Sequence, residues 1–169
     1  MDLNEATREV TALSLSELQG SEVTLRYELA DDLPPVVGDR IQLQQVILNL
    51  LRNAADAMGT TDERPRELLI RTERDEENQV RLSVKDSGVG FTPQTAEKIF
   101  EPFYTTKTDG MGIGLSISRS IIEAHQGRLW AKPNDGPGAT FSFVIPCTLK
   151  GAADVETHIN RGEPSTDAA

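Results

Sequence analysis

The feature that most limits what this chain can become is a helix-length stretch, residues 39–58, in which Asn49 and Asn53 stand four apart among Val46, Ile47, Leu50, Leu51 and Ala54. On a helix that spacing puts both amides on one face. Asparagine is a poor helix former, and its amide is costly to bury without a polar partner, so the pair asks for a polar and charged ligand. Asp39 with Gln42 three residues on reads as an N-cap with a capping box, and Gly59 reads as the stop.

Around that helix the patterning alternates. Residues 3–19 have helical composition, and residues 23–29 alternate apolar and polar as a half-buried strand does. Two more alternating runs, 67–73 and 79–85, flank a charged hairpin turn at 74–78. A short helix is expected from Thr92-Pro93 to Phe100, then an irregular Thr-, Gly- and Lys-rich segment at 101–111 that reads as mobile. Residues 113–126 have helical periodicity with Gly127 as the left-handed stop, and 128–132 and 139–145 read as closing strands about a Pro/Gly turn. Interleaved helices and strands with antiparallel neighbours predict an α/β (α+β) two-layer sandwich, a mixed and largely antiparallel sheet with helices packed on one face. The other face is expected to be partly solvated. One domain over 1–149 accounts for the pattern, with 150–169 a polar tail expected to be disordered.

Charge narrows the function. The 169 residues carry a formal net charge of −10, which argues against general binding to nucleic acid or to an anionic membrane. Residues 98–132 depart from the average: Lys98, Lys107, Arg119, Arg128 and Lys132 against Glu101, Asp109 and Glu123, five minus three, leave a locally positive stretch that could receive an anion. The single cysteine, Cys147, forms no internal disulfide, and no apolar run is long enough to span a bilayer, so a reducing cytoplasmic setting is expected.

Three constellations can carry chemistry. The amide oxygens of Asn49 and Asn53 are hard, neutral ligands suited to a magnesium ion held mainly by substrate phosphates, which a neutral ligand does not repel. Asp86, ending its strand before Ser87-Gly88-Val89-Gly90, offers a fixed acceptor for an exocyclic amine, and Gly88 and Gly90 would let a flat ring lie close to the backbone; adenine fits. Gly110, Gly112 and Gly114, with Met111, Ile113 and Leu115 between and after them, open a helix; each would cost roughly 1 kcal/mol relative to alanine inside one. At a helix entrance they instead leave N–H groups and the positive dipole end open to phosphates, with Thr105, Thr106 and Lys107 just upstream. No GxxxxGK[ST] occurs, and the glycines do not follow a first strand directly into its helix, so neither a P-loop nor a dinucleotide fingerprint is present.

Together these residues resemble the catalytic, ATP-binding domain of bacterial two-component sensor histidine kinases, within the gyrase, chaperone, histidine-kinase and mismatch-repair ATPase superfamily. Residues 45–54 match the N box, 86–90 the first glycine box, 99–103 the F box and 110–115 the second glycine box, in the family's order. The resemblance implies that Asn53 coordinates Mg²⁺, that Asn49 lies beside the phosphates and metal, that Asp86 takes the adenine amine and Gly90 lines its pocket, and that residues 105–114 form an ATP lid. Thr140 matches a position that often assists adenine binding, and Lys107 a phosphate contact. Asn49 stands where hydrolytic members carry a glutamate base, and an amide accepts no proton at neutral pH, so hydrolysis is expected to be slow.

The family's phosphorylated histidine lies on a dimerising helical hairpin absent from these residues. Of the two histidines, His125 sits near a helix end where a cation would favour the dipole, and a structural role is assigned to it; His158 lies in the tail. The expected partners are that hairpin domain and, indirectly, a response regulator receiver domain, with no nucleic acid, no direct membrane contact and a monomeric isolated domain. Two readings compete: a serine kinase of the anti-sigma type, less well matched at residues 31–39, and a nucleotide-binding interaction module that transfers nothing.

Overall fold

The computed structural model of the chain describes residues 1–20, 22–59, 65–76, 78–96, 98–101 and 114–148. The expected lid up to residue 113 and the tail, with Thr105, Thr106, Lys107, Gly110 and Gly112, lie outside the described residues. The elements run α1 (Leu3–Gly20), β1 (Val23–Leu29), α2 (Arg40–Met58), β2 (Arg66–Asp75), β3 (Gln79–Asp86), two 3₁₀ turns (Pro93–Thr95 and Lys98–Phe100), α3 (Gly114–Ala124), β4 (Arg128–Pro133) and β5 (Ala139–Pro146). The five strands form one sheet in the order β1-β2-β3-β5-β4. β1 lies parallel to β2, and the other three pairings are antiparallel, so the sheet is mixed.

Strand alternation divides the sheet into a covered and an open face. Val80, Leu82 and Val84 of β3 pair with Ile145, Phe143 and Phe141 of β5 and join the helix-side core. Their intervening neighbours, Arg81, Ser83 and Lys85, share the opposite face with Thr140 and Ser142 of β5 and with Arg128, Trp130 and Lys132 of β4. That face is mainly polar and partly solvated: Lys85, Arg128 and Lys132 are exposed while Ser142 and Val144 are buried, Ser83 and Ser142 share a hydrogen bond of 2.8 Å, and the Arg81 and Arg128 guanidiniums stack on Trp130 at 5.2 and 4.4 Å. The core gathers Leu43, Val46, Ile47, Leu50, Leu51, Ala54 and Met58 of α2 against the sheet, with Ile122 of α3 and Leu3, Val10 and Leu18 of α1.

Local signals explain the boundaries, with two revisions. Asp39 caps α2 as expected, its Oδ1 accepting from the Ile41 and Gln42 N–H groups at 2.9 and 3.1 Å. The reciprocal half of the box is not closed by Gln42: the Asp39 N–H donates instead to His125 Nε2 at 3.0 Å. At the end of α3 the left-handed residue is Gln126 (φ 63), not Gly127. Gln126 N–H donates to the Glu123 carbonyl and Gly127 N–H to that of Ile122, the pattern of a Schellman ending. Gly127 is required for a different reason: a Cβ there would lie 2.1 Å from the Val144 carbonyl oxygen of β5.

Candidate nucleotide site

One face of α2 organises the site. Asn49, Asn53 and Ala57 follow one another at helical spacing over two turns, about 12 Å of axis. At the Asn49 end, its Nδ2 donates to the Ser118 hydroxyl at 3.1 Å and to the Gly114 carbonyl at 3.4 Å, tying α2 to the opening turn of α3. Both bonds use the amino group, so the carbonyl oxygen is the atom with which Asn49 can meet a cation. Asn53, one turn on, is half-buried. At the Ala57 end the loop after β3 rests on the helix: Val89 N–H donates to the Ala57 carbonyl at 3.2 Å, and a Cβ on Gly88 would lie 2.5 Å from that same oxygen. Gly88 is therefore needed for backbone against backbone.

Asp86 sits at this junction. It is only 3% exposed, and its Oδ1 accepts from the Gly88 and Ala139 N–H groups at 2.9 and 3.2 Å. Its Oδ2 is buried with no hydrogen-bond partner among the described residues. A native carboxylate oxygen left in that condition is an acceptor in wait of a donor. Burial pushes the Asp86 carboxyl above the ordinary carboxylate range, against the smaller opposing pull of the two N–H donors. An exocyclic amine fits Oδ2 in chemistry, and the hard amide oxygens on α2 fit a magnesium ion carried by phosphates.

The remaining expected residues divide. Gly90 adopts a left-handed φ of 69° with a would-be Cβ 2.9 Å from the Gly138 oxygen, so it abuts the turn into β5. Gly114 begins α3 beside Asn49, and Leu115 packs against the core. Phe100 is buried edge-on to Phe141. Thr140 is not brought to the Asp86 carboxyl: it pairs with Lys85 and Lys132, on the open face of the sheet, and its hydroxyl donates to Asn134 Oδ1 at 2.6 Å. Ala139 is the β5 residue on the Asp86 side.

Two residues escaped the sequence reading. Ser118, fully buried, anchors Asn49, and Asn134 donates through Nδ2 to the Asp86 backbone carbonyl at 2.9 Å. In sequence, Asn134 is one more turn former before Asp135-Gly136. His125 takes the structural role expected of it, but as a neutral ring: Nδ1 faces the Ile121 carbonyl at 2.8 Å and must donate, leaving Nε2 to accept from Asp39.

Comparison with known proteins gives the family and the fold. Residues 38–149 match the family described as histidine kinase-, DNA gyrase B- and HSP90-like ATPase. The chain is 43% identical over 144 residues to the sensor protein FixL of Bradyrhizobium diazoefficiens, an alignment that covers 85% of this chain and 28% of FixL. It superposes on the nucleotide-free catalytic domain of the histidine kinase ThkA with a TM-score of 0.77 at 39% identity, covering 88% of this chain and 94% of that one. Full-length ShkA in complex with AMPPNP gives the same TM-score at 28% identity, over 88% of this chain and 31% of ShkA. A complex of ThkA with the response regulator protein TrrA matches at TM-score 0.74 and 36% identity, over 88% of this chain and 41% of that one. The chain belongs to the histidine kinase-, DNA gyrase B- and HSP90-like ATPase family, and within it is an ATP-binding catalytic domain of the sensor histidine kinase type.

Proposed function

We propose that this domain binds Mg·ATP along the α2 face, adenine at Asp86 and phosphates toward α3, and donates the γ-phosphoryl group to a histidine on a helical dimerisation domain of the same protein. The observation that carries the reading is the buried, unpartnered Oδ2 of Asp86 at the end of the helix face that bears Asn53 and Asn49. The site residues divide the work. Asp86 accepts the adenine amine; Gly88 and Gly90 let the loop close against α2 and Gly138. Asn53, with the Asn49 oxygen, holds the metal, which when bound neutralises phosphate charge. The opening turn of α3 at Gly114 and Leu115 receives the phosphates at its N–H end, supplemented by Thr105, Thr106, Lys107, Gly110 and Gly112.

The acceptor imidazole nitrogen bonds to the γ-phosphorus as the bond to the bridging β–γ oxygen breaks and ADP leaves, so the protein's task is alignment and charge stabilisation. Asn49 cannot deprotonate a water, which keeps hydrolysis slow between binding and transfer. A response regulator receiver domain is the expected recipient of the phosphoryl group from the histidine, and the cytoplasm the expected compartment; among the described residues no helix is long and apolar enough to cross a membrane.

The test is calorimetry with Mg·ATP, followed by incubation with labelled ATP and the chain's cognate hairpin domain. Micromolar-to-millimolar binding and acid-labile phosphate on the hairpin are expected. Binding with no transfer would leave a nucleotide-sensing module, and acid-stable phosphate on a hydroxyl would mark the anti-sigma type of kinase.

A further inference from the structure

The ladder between β3 and β5 stops one residue short of the site. Its last register pair is Lys85↔Thr140; the next N–H on β5, that of Ala139, bonds to the Asp86 side chain rather than to its main chain. The chain crosses so close at this point that a Cβ on Gly138 would lie 2.0 Å from the Asp86 carbonyl oxygen, and Gly138 takes a left-handed φ of 92°. Asp86 thus sits just past the last β3–β5 pair, with its main-chain carbonyl turned toward Gly138. Asn134 meets that carbonyl, with Nδ2 at 2.9 Å.

The orientation of that amide is fixed by chemistry. Nδ2 lies between two carbonyl oxygens, Asp86 O at 2.9 Å and Pro137 O at 3.1 Å, which accept only, so the amino group must face them. The amide oxygen then faces Thr140, whose hydroxyl donates at 2.6 Å, and the Asn134 N–H closes the turn onto the Gly138 carbonyl at 3.0 Å. Every one of these bonds is internal to the protein. They bind the end of β3, the β4–β5 turn and the start of β5 into one frame, inside which Oδ1 is held by two N–H groups and Oδ2 is left over.

We propose that Asn134 is the positioning residue of adenine recognition: resting on the ATP-binding reading above, it fixes the Asp86 backbone so that the Oδ2 acceptor stands where the base amine arrives. It touches no nucleotide and acts through Asp86. The consequence is selective. A base with an amine at the sixth position gives Oδ2 a hydrogen from that position, whereas hypoxanthine sets an oxo acceptor against it there and keeps its N–H on the neighbouring ring nitrogen. Loss of Asn134 should therefore weaken the amino base and spare the oxo base, whereas loss of mere fold stability would weaken both alike.

The experiment is calorimetry of the full chain with Mg·ATP and Mg·ITP. Two variants are used, Asn134→Ala and the near-isosteric Asn134→Asp, which keeps an acceptor for Thr140 and loses the donor to Asp86; circular dichroism reports their fold. The expected result in both is a loss of about tenfold in ATP affinity, the measure of one hydrogen bond, with ITP affinity changed less than about twofold. Equal losses for the two nucleotides, or an unchanged ratio, overturn the proposal while leaving the ATP site standing. A parent chain that binds neither nucleotide overturns the site itself, and this inference with it.

Discussion

At the scale of single residues, the burial of Asp86 that costs the fold is the same burial that the proposed adenine recognition uses. Burial holds its carboxyl above the ordinary carboxylate range, so between that range and the raised value the folded chain carries a proton that the unfolded chain has lost. Stability from this site is complete below that window and is lost as pH rises through it. Nucleotide binding has the opposite sign: an amine donor needs the ionised acceptor, so ATP affinity should rise with pH across the window, and binding there should release a proton, read by calorimetry in buffers of different ionisation enthalpy. Asp86→Asn has nothing to ionise and should flatten both profiles. An Asp86→Asn chain that keeps the parent's pH profile for ATP would remove Asp86 from the site. The residue itself was legible in sequence as a carboxylate ending a strand before glycines. Its unpartnered Oδ2 was not, since that depends on Gly88 and Ala139 taking only Oδ1.

At the scale of elements, α2 was legible almost whole, from the Asp39 cap to the paired amides, because each of those signals is local. What holds it to its neighbours was not. The bonds from Asn49 to Ser118, from Asp39 to His125 and from Asn134 to Asp86 join residues 69, 86 and 48 positions apart, and no periodicity marks such pairs. They decide how α3 lies: clamped at its first turn by Asn49 and at its end by Asp39, it runs antiparallel to the first half of α2. Alternation likewise announced β1 and β2 without saying that they would pair in parallel. Glycine meaning was also tertiary. Gly88 read as room for a flat ring, and in the structure it is room for the Ala57 carbonyl. Gly88→Ala should accordingly force the last turn of α2 away from the loop and destabilise the domain by about 1–3 kcal/mol, as overpacking does. A urea midpoint unchanged from the parent would show that the loop yields without cost.

At the scale of the whole molecule, the core and the site are one construction. The α2 side chains that fill the core, Leu43 through Met58, are interleaved with the amides proposed to face the ligand, so the helix cannot shift for one purpose without the other. The fold class, by contrast, followed from helical and strand patterning interleaved along the whole chain. The open face of the sheet, expected to be partly solvated, carries its charges away from that construction, with Arg71 paired to Glu28 and Glu73, and Arg81 to Glu73 and Asp75. The exposed pairs of Arg71 contribute little to stability individually, the half-buried pairs of Arg81 belong to the open face alone, and the main reserve lies in the shared core. A ligand seated on α2 should therefore stabilise the entire domain and not a local segment. At a free Mg·ATP concentration one hundred times Kd the gain is about 2.7 kcal/mol, which for a domain of this size raises Tm by about 5–10 °C in a single transition. Asp86→Asn at the same nucleotide concentration should shift far less. A second, unshifted transition in the parent would mean that the nucleotide holds only part of the fold, and that α2 does not join site to core.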